Sequence, residues 1–500
     1  MAWSLLGRGP WARGWLRWRL RGGLPPDGAD LMAGPDVRPL WEANRWAELP
    51  RLALAGQGRA IPDRVAAWFA ANPPYQGVNW ACGQEAALRV LHLALAAALA
   101  GTPAPEAAMR ALARRIGANP AYAWAQDNNH PVSEACGLLI CGLALGEGGL
   151  ARRGARRLDA AVARLVAADG GFAQLSPAYH RMLLDVVAVT EWLRRRAGGP
   201  EAAPLTLARM AAATRWLHRL ACPVTGRLPR IGHQDGSHVA DLSAAGPDDA
   251  SASLERAARI FCGASAGWPA DAGCAALGLT LPAAVLAAEA DWEAGGLLGR
   301  CFGRFRAILR VGPLRFRPGH ADLLHLDLWR EGENLLRDGG TGAYNPADPA
   351  WLDYFQGAAA HNGIAFDGED QMPRLGPFLF HHWPETGALP GGGWWRDHRG
   401  RRHARVLRAA PGGLSVEDAV SGPFREALLR WRLAPGDWTL GAEGVAGAGM
   451  RLSLSADGPM ALRLVRGMES RAYGEVSPLP VLEACISETT SRITTHIHNL

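Results

Sequence analysis

The chain has 500 residues, of which 48% are hydrophobic, so it is too apolar for a disordered protein and too long for one ordinary core. Its formal charge of +6 results from 53 basic residues, all of them arginine, against 47 acidic residues. Because the arginines are spread along the chain and not gathered in one block, the charge argues against a nucleic-acid-binding protein and suits an acidic small molecule or a polyanion.

The N-terminal segment, residues 1–36, is rich in arginine and tryptophan and lacks the sustained apolar stretch of a secretion signal. Two interpretations of it remain open: an amphipathic helix on a membrane surface, and a first helical turn packed against the rest of the protein. No apolar run in the chain reaches membrane-spanning length. The eight cysteines include no CxxC pair, which is typical of buried thiols and argues against a disulfide framework or a zinc ribbon.

Residues 37–290 are predicted to form a helical domain. Up to about residue 222, apolar residues recur at three- and four-residue spacing, and the segments end at Gly or Pro. Short turns between successive helices predict stacked helical hairpins. The segments include VRPLWEANRWAELPRLALA, ACGQEAALRVLHLALAAALA, NNHPVSEACGLLICGLALGEG and YHRMLLDVVAVTEWLRRRAGG.

Residues 291–500 change to a period of two. Segments such as FRAILRVGPLRFRPG, HNGIAFDG and REALLRWRLAPGDWTL are predicted strands, separated by turns that contain Gly, Pro or Asp. The sequence therefore predicts an α+β multidomain protein, in which the helical domain is followed by an antiparallel β domain.

The stretch NPPYQGVNWACGQEAALR leads from a turn into a helix and carries Asn79 at the junction. Glu85 and Arg89 have the i, i+4 spacing of an ordinary helical ion pair, so a structural role is sufficient to explain them.

The stretch QDNNHPVSEACGLL has more polar residues than a helix start requires. Asn128, Asn129 and His130 directly precede Pro131, and proline is favoured in the first turn of a helix. One of the three is expected to be the N-cap, and capping alone does not need the other two.

The stretch DGGFAQLSPAYHRMLLD places Tyr179 and His180 at another helix start, after a Gly-rich loop. Side chains at such junctions can face a cleft. The simpler interpretation is a tyrosine with a packed ring and a hydrated hydroxyl group.

The β domain contains the stretch RPGHADLLHLDLWREGENLLRDGGTGAYN, residues 317–345. We expect His320 on one strand, Asp338 at the end of the next and His361 at the start of another. Two imidazoles and a carboxylate on neighbouring strands would suit a zinc-like ion with an open coordination position. Alternatively, these polar residues pair with each other.

The same stretch contains three further polar residues that alternate along the predicted strand. Asp322 is expected on the face of His320, and His325 and Asp327 on the opposite face. The last two are predicted to form a structural polar pair inside the β domain, without a catalytic role.

Together, these stretches resemble the heparinase II/III family of polysaccharide lyases, which has relatives that act on alginate. The resemblance covers residues 37–495 approximately and is specific because seven segments occur in the same order. They are NPPYQGVNW, NNHPVSEACGLL, DGGFAQLSPAYH, RIGHQDGS, HADLLHLDLWREGENLLRDGGTGAY, YFQGAAAHNGIAFDGEDQ and ESRAYGEVSPLPVLE. The resemblance implies an incomplete α/α toroid followed by a layered antiparallel β-sandwich.

The resemblance also implies β-elimination on a uronate-containing, anionic polysaccharide. Asn129 and His130 would hold and neutralise the uronate carboxylate, and Tyr179 would be the acid, with the role of base also open to it. Three residues, Asn79, Arg230 and His233, are expected to contribute to substrate binding.

A metal ion, of which zinc is the candidate, is implied on His320, Asp338 and His361, which match the family's His, Asp and His. The sequence departs from the family at Pro318, where active relatives often have the first His of His-x-His-x-Asp. Two assignments of the base therefore remain open, Tyr179 acting as both base and acid, or His130 acting as base.

The departure at Pro318 also keeps a second class of function open, a non-catalytic polysaccharide-binding or exopolysaccharide-biosynthesis accessory protein. A third class, a hydrolase, needs two opposed carboxylates, for which Glu85, Glu134 and Asp235 are candidates without supporting spacing. Relatives are typically exported, whereas this sequence has no readable signal peptide, so periplasmic, exported and cytoplasmic locations all remain open. The polymer, the endo or exo mode and the oligomeric state are not indicated.

Overall fold

The computed structural model describes residues 35–500, except for 238, 244, 245, 247, 269–271, 316 and 377. The N-terminal segment proposed from the sequence therefore lies outside the described residues, apart from its last two. The chain forms two compact units. The helical unit comprises the described parts of Met1–Gln174, Ala178–His218 and Gly236–Ala287, and the sheet unit comprises those of Leu175–Pro177, Arg219–Asp235 and Ala288–Leu500.

The helical hairpins predicted from the apolar spacing are present. The α-helices of the described residues are α1 (Arg38–Ala43), α2 (Glu48–Leu54), α3 (Ile61–Ala71), α4 (Gly83–Ala100), α5 (Glu106–Gly117), α6 (Pro120–Trp124), α7 (His130–Ala144), α8 (Gly148–Leu165), α9 (Pro177–Arg196), α10 (Pro204–Leu220), α11 (Ser251–Ala257), α12 (Ala272–Ala276) and α13 (Ala350–Gln356). Short 3-10 helices occupy Gly58–Ala60, Val78–Trp80 and Ala358–Ala360, and a π-helical turn occupies Ala258–Cys262.

Helix α4 lies in the core of the helical unit. All of its residues from 83 to 97 are buried. The polar ones each make a hydrogen bond within the fold, as burial of polar groups requires, namely Gln84, Glu85, Arg89 and His92. The helix ends at Gly101, whose φ of 66° gives the left-handed conformation that commonly terminates helices.

Helices α7 and α8 form a hairpin whose backbones touch. A Cβ atom on Gly142 would lie 2.2 Å from the backbone nitrogen of Ala151, and one on Gly154 would lie 2.3 Å from that of Leu139. Only glycine allows this approach, so the contact fixes how the two helices slide against each other.

The sheet unit is built from antiparallel strands, as the two-residue period predicts. They are β1 (Trp292–Ala294), β2 (Leu297–Phe302), β3 (Phe305–Arg310), β4 (Leu326–Arg330), β5 (Glu333–Leu336), β6 (Ile364–Phe366), β7 (Arg374–Gly376), β8 (Leu379–Phe380), β9 (Glu385–Leu389), β10 (Gly392–Arg396), β11 (Arg402–Ala410), β12 (Gly413–Ser421), β13 (Glu426–Arg432), β14 (Trp438–Gly441), β15 (Gly444–Gly447), β16 (Met450–Ala456), β17 (Met460–Glu469), β18 (Ser477–Ser487) and β19 (Arg492–Asn499).

These strands form a five-stranded sheet in the order β1-β2-β3-β4-β5 and an eight-stranded sheet in the order β14-β15-β16-β19-β12-β11-β10-β9. A four-stranded sheet has the order β17-β18-β13-β6, and β7 pairs with β8. One apolar core joins the larger sheets, with Leu328, Trp431, Leu452 and Leu482 among its fully buried members. Within the described residues, no helix has the length and apolar character needed to cross a membrane.

The strand predicted to begin near His320 is shorter than the alternation suggests. Strand β4 starts only at Leu326, because the preceding residues form a turn in which the backbone N–H of His325 donates to the carbonyl of Asp322. Leu324 has a φ of 61°, which no strand residue adopts. The prediction of His320 on a strand is therefore wrong, and face alternation does not apply to residues 320–325.

Candidate functional site

The start of α7 carries the polar residues of the NNHP segment. Asn129 occupies the N-cap position, but its side chain makes no capping bond. The side-chain oxygen of Asn128, Oδ1, instead accepts a hydrogen bond from the backbone N–H of His130, at 3.0 Å. The side chain of Asn129 is thus left for other partners.

Asn129 is buried between three helices. Its Nδ2 donates to Oε1 of Gln84 at 2.7 Å and contacts Sδ of Met182 at 3.4 Å, and its backbone N–H donates to Gln174 at 3.3 Å. Met182 lies three residues after the half-buried Tyr179 on α9, so the two side chains project from neighbouring positions of one helical face. The helical unit therefore holds the Asn129 amide against the turn that carries Tyr179.

His130 is held through its Nδ1 atom. Nε2 of Gln126 lies 3.1 Å from this atom, and Sγ of Cys82 lies 3.8 Å from it. One turn further along α7, Glu134 is buried, and burial raises the pKa of its carboxyl group to about 8. Glu134 is therefore largely protonated at neutral pH and adds little negative charge near His130.

Asn79 lies in the short helix Val78–Trp80 and is buried. Its Nδ2 donates to Oδ1 of Asn72 at 2.8 Å, whereas its own Oδ1 has no hydrogen-bond partner among the described residues.

Glu85, a carboxylate considered for the hydrolase alternative, is committed to Arg45. Nε and one terminal nitrogen of Arg45 each donate to it at 2.7 Å. Burial alone would raise the pKa of Glu85, but the charge and hydrogen bonds of Arg45 outweigh burial and lower it. The pair is a buried structural ion pair.

The sheet unit brings together His320, Asp338 and His361. His320 lies in the turn before β4, Asp338 follows β5, and His361 follows the short helix Ala358–Ala360, three residues before β6. All three are buried, and one ligand atom from each can be chosen so that these atoms lie within 4.8 Å of one another. The expectation that they converge in space is met, although all three lie outside strands.

The hydrogen bonds of this group leave several imidazole nitrogens unsatisfied. Nδ1 of His361 lies 2.7 Å from Oδ2 of Asp338, whose Oδ1 accepts from the backbone N–H of Gly340 at 2.8 Å. Within the described residues, neither nitrogen of His320 has a partner, and neither has Nε2 of His361. Buried polar atoms are rarely left in this state, so the group fits a ligand such as a metal ion.

The charges of the group are also suited to a cation. Burial opposes ionisation of Asp338, but the neighbouring imidazoles of His361 and His325 outweigh it and hold its pKa below the usual range. Burial, together with the neighbouring His233 and His361, lowers the pKa of His320 well below its usual value. His320 is therefore neutral, which is the form that binds a metal. For His361, the Asp338 carboxylate outweighs burial and raises the pKa.

His325 belongs to this cluster and not to a separate face. Its Nε2 lies 3.6 Å from Oδ2 of Asp327, as the predicted polar pair requires, but also 3.6 Å from Oδ2 of Asp338. Its ring centroid is 5.8 Å from that of His361. The predicted separation of His325 from the site is wrong, because the turn before β4 replaces the alternation of a strand.

His233 also lies in the sheet unit, against His320. Their ring centroids are 5.0 Å apart, and those of Tyr344 and Phe378 are 5.4 and 5.2 Å from His233. A Cβ atom on Gly319 would lie 2.9 Å from the His233 ring, so the backbone before His320 passes directly over it. Burial, and next the charge of Arg317, lower the pKa of His233 to about 4.

Arg230, in the same segment of the sheet unit, has a carboxylate nearby. A terminal nitrogen of Arg230 lies 3.6 Å from Oε2 of Glu469, which is fully buried, and a terminal nitrogen of Arg337 lies 3.4 Å from each oxygen of the same carboxylate. Part of the charge of Arg230 is therefore compensated within the unit, and its role in substrate binding stays a prediction.

The C-terminal part of the chain matches a known family. Residues 285–474 match the Heparinase II/III-like, C-terminal family model, and this range contains His320, Asp338 and His361. No curated protein matches the chain in sequence.

Solved structures of polysaccharide lyases share the fold over almost the whole chain. Heparinase III superposes with a TM-score of 0.69 at 13% identity, covering 92% of this chain and 77% of its own. A heparan sulfate lyase from Pedobacter heparinus gives 0.61 at 16% identity, covering 92% and 76%. Chondroitin AC lyase from Streptomyces coelicolor A3 gives 0.56 at 12% identity, covering 99% and 80%. The predicted fold, an α/α toroid followed by antiparallel β-sheets, is confirmed.

The site residues predicted from sequence are divided between the two units. The helical unit contains Asn79, Asn129, His130 and Tyr179, and the sheet unit contains Arg230, His233, His320, Asp338 and His361. Several neighbours that hold these residues were not predicted as members of the site, namely Gln84, Gln126, Met182, His325 and Glu469. Only His325 had a visible signal, its place in a segment dense in His and Asp.

Proposed function

We propose that this chain is a carbon–oxygen lyase that cleaves an anionic, uronate-containing polysaccharide by β-elimination. The fold shared with heparinase III over 92% of the chain supports a polysaccharide substrate. The observation that carries the proposal is the contact of the buried Asn129 amide with Met182, beside the turn of α9 that bears Tyr179. A carboxylate-binding amide and a phenol are thus kept in one region of the helical unit.

The reaction needs three contributions from the chain. A base removes the proton from C5 of the uronate, and the electron pair of that bond forms the C4=C5 double bond while the C4–O bond breaks. An acid delivers a proton to the departing glycosidic oxygen. Negative charge grows on the carboxylate as C5 loses its proton, so donors aimed at the carboxylate stabilise the transition state more than the ground state.

In this proposal, Asn129 and His130 bind the carboxylate, and Tyr179 is the acid. A phenol is protonated at neutral pH, with an ordinary pKa of about 10, and suits the delivery of a proton to the leaving oxygen. If Tyr179 first takes the C5 proton as a phenolate, it can return a proton to the leaving group in the same turnover. His130 is the other candidate for the base. Asn79, Arg230 and His233 are proposed to bind further parts of the polymer.

We further propose a zinc-like ion held by His320, Asp338 and His361. The unsatisfied nitrogens of His320 and His361 and the ionised Asp338 support this donor set. Such an ion would supply positive charge and hold the three side chains in one geometry. Bound zinc would require the ligand nitrogens and oxygen within about 2.0–2.2 Å of one point, which a structure of the metal-loaded protein can measure.

The test is the ultraviolet absorbance of the unsaturated uronate product. Purified protein is incubated with alginates, heparan sulfate and bacterial exopolysaccharides, in parallel with the Tyr179→Phe variant. The proposal expects absorbance to rise with at least one polymer and the variant to lose that activity. Lyase activity that persists unchanged in Tyr179→Phe would show that Tyr179 has been assigned the wrong role.

A second candidate is a polysaccharide-binding protein without lyase activity, which Pro318 favours because it replaces the first His of the relatives' motif. The Pro318→His variant separates the two candidates. If the wild-type protein binds a uronate polymer but cleaves none, and Pro318→His cleaves it, then the binding function is correct. Thermal unfolding of the variant controls for the effect of removing a proline.

A further inference from the structure

The segment before α7 contains a chain of amide hydrogen bonds that ends on His130. Gln126, Asn128 and His130 are all partly buried, and Asp127, between the two amides, has a φ of 46°. Nε and a terminal nitrogen of Arg164 each lie 2.8 Å from the Asp127 carboxylate. This tight turn brings the side chains of Gln126 and Asn128 to the same end of α7.

The orientation of each side-chain amide in this series of hydrogen bonds follows from one group that can only donate. The backbone N–H of His130 can only donate, so the atom of Asn128 that lies 3.0 Å from it must be the oxygen Oδ1. Nδ2 of Asn128 then lies 3.3 Å from Gln126, and because Nδ2 can only donate, Gln126 must present Oε1 to it. The amide nitrogen of Gln126 therefore lies at the other side, 3.1 Å from Nδ1 of His130.

The last bond decides where His130 carries its proton. The Gln126 amide nitrogen donates, so Nδ1 of His130 must accept and has no hydrogen. Cys82, 3.8 Å from the same atom, offers only a weak S–H donor, because burial raises the pKa of its thiol and keeps it protonated. A neutral imidazole has one N–H, so the hydrogen is on Nε2. An imidazolium would direct a second N–H at the Gln126 amide.

We propose that Gln126, oriented by Asn128, is a positioning residue that holds His130 as the Nε2–H tautomer, and that His130 is therefore a hydrogen-bond donor to the substrate carboxylate and not the base that removes the C5 proton. The substrate named in this inference, a uronate polymer, rests on the proposed lyase function. It assigns the base to Tyr179, the other candidate, because an imidazole whose Nδ1 is occupied and whose Nε2 is protonated has no lone pair to accept a proton.

The tautomer can be measured without any substrate. Histidine labelled with ¹⁵N is incorporated, and two-bond ¹H–¹⁵N correlations are recorded near neutral pH, with His130 assigned from the signal lost in His130→Gln. The expected result is a hydrogen on Nε2 and an unprotonated Nδ1. A wild-type spectrum with the hydrogen on Nδ1 overturns the inference, whatever the variants do.

Two isosteric variants should invert the tautomer. Gln126→Glu places a carboxylate, which can only accept, beside Nδ1. Asn128→Asp keeps the acceptor for the His130 backbone N–H but removes the donor to Gln126, so Gln126 should rotate and turn its oxygen to Nδ1. Gln57→Glu, on an exposed turn of the same unit, makes the same change of charge and should leave the tautomer unchanged. If Asn128→Asp folds and keeps the wild-type tautomer, the relay from Asn128 does not exist.

Kinetics then connect the tautomer to function. Loss of one oriented donor to a developing oxyanion costs about 10²–10³-fold in turnover, so Asn128→Asp should lower kcat by that order with a smaller change in KM. Gln57→Glu should match the wild type. An inverted tautomer with unchanged kcat overturns the donor role of His130. A wild-type protein with the expected tautomer that cleaves no uronate polymer overturns the lyase function and leaves the relay standing.

Discussion

The start of α7 is polar and partly buried, and the histidine cluster around Asp338 is polar and fully buried, but the two differ in how their hydrogen bonds are satisfied. At α7, the His130 backbone N–H donates to Asn128, the Asn128 amide donates to Gln126, and the Gln126 amide donates to Nδ1 of His130. Around Asp338, both nitrogens of His320 and one of His361 have no partner among the described residues. A satisfied network fixes the orientation of its members, whereas an unsatisfied one indicates a further partner, such as a bound ligand.

The difference teaches how to assign roles to buried histidines. His92 in the helical unit has both nitrogens bonded, to the carbonyl of Arg45 at 2.7 Å and to the backbone N–H of Ala240 at 3.0 Å. His320 has neither. The first arrangement is structural, and the second is the one expected of a side chain that binds a ligand, such as the metal ion proposed above. Four experiments can break or sharpen this contrast.

The largest effect is expected from Tyr179→Phe. General acid–base help is worth about 10²–10⁴-fold, so loss of the phenol should lower kcat on a cleaved polymer by at least that factor if Tyr179 supplies both proton transfers. Tyr75→Phe is the matched control, because its hydroxyl group donates only to the carbonyl of Ala111, at 3.3 Å. Comparable rates for the two variants would contradict the assignment of Tyr179.

Asn129→Ala should lower kcat by about 10²–10³-fold with a smaller rise in KM, because the carboxylate charge grows in the transition state. The measurement is a full kinetic curve on the same polymer, with metal content determined in parallel. Metal content should be unchanged, since Asn129 belongs to the helical unit and the proposed metal ligands belong to the sheet unit. A rise in KM by the same factor without a loss of kcat would indicate that Asn129 contributes only to binding the substrate in its ground state.

Acid should destabilise the protein through its neutral buried histidines. Burial lowers the pKa of His92 from 6.5 to about 4, so the unfolded chain binds the extra proton between these values. Stability from this group is fully present above pH 6.5 and is lost as the pH falls to 4, by about 3 kcal/mol in all. His92→Gln should flatten the pH dependence of urea unfolding by about that amount, whereas the exposed His496→Gln should not. A slope unchanged in His92→Gln would disprove this account.

Metal removal is expected to have the smallest effect. Elemental analysis should find about one zinc-like ion per chain, retained in His398→Ala, an exposed site, and lost in His320→Ala. At a free metal concentration of 100 Kd, the ion should add about 2.7 kcal/mol to the free energy of unfolding, so a chelator should lower the melting temperature of the wild type but not of His320→Ala. Absence of metal from protein prepared with zinc would favour paired polar residues instead.

The sequence was sufficient for the fold and for part of the site. The change of period from helical to two-residue spacing predicted both kinds of unit, and Pro131 located the start of α7. It was not sufficient where the backbone leaves a regular conformation. Leu324, in a left-handed turn, moved His320 off the strand and brought His325 to Asp338, and no local pattern signals such a turn.

Long-range packing was the other limit. The segment Arg219–Asp235 was assigned to the predicted helical domain, yet it packs with the sheet unit, where His233 meets His320. The relay from Asn128 to His130 depends on which way two amides face, and residue types alone do not determine this. Residue types therefore predicted the candidate groups, whereas the hydrogen-bond partners of these groups depend on the three-dimensional packing.

The glycine contact between α7 and α8 determines how precisely the end of α7 that is proposed to bind the carboxylate is positioned. Gly142 lies 13 residues after Asn129, so a rigid helix of about 1.5 Å per residue places the two about 20 Å apart. A methyl group at Gly142 or Gly154 would have to push the two helix backbones apart by roughly an ångström. Because α7 is rigid, this displacement would also shift its N-terminal end, where Asn129 lies. The precise positions of Asn129 and His130 thus depend on a helix contact that is remote from the substrate. Substitutions at Gly142 and Gly154 are therefore excluded as long as the Asn129 amide must keep its position.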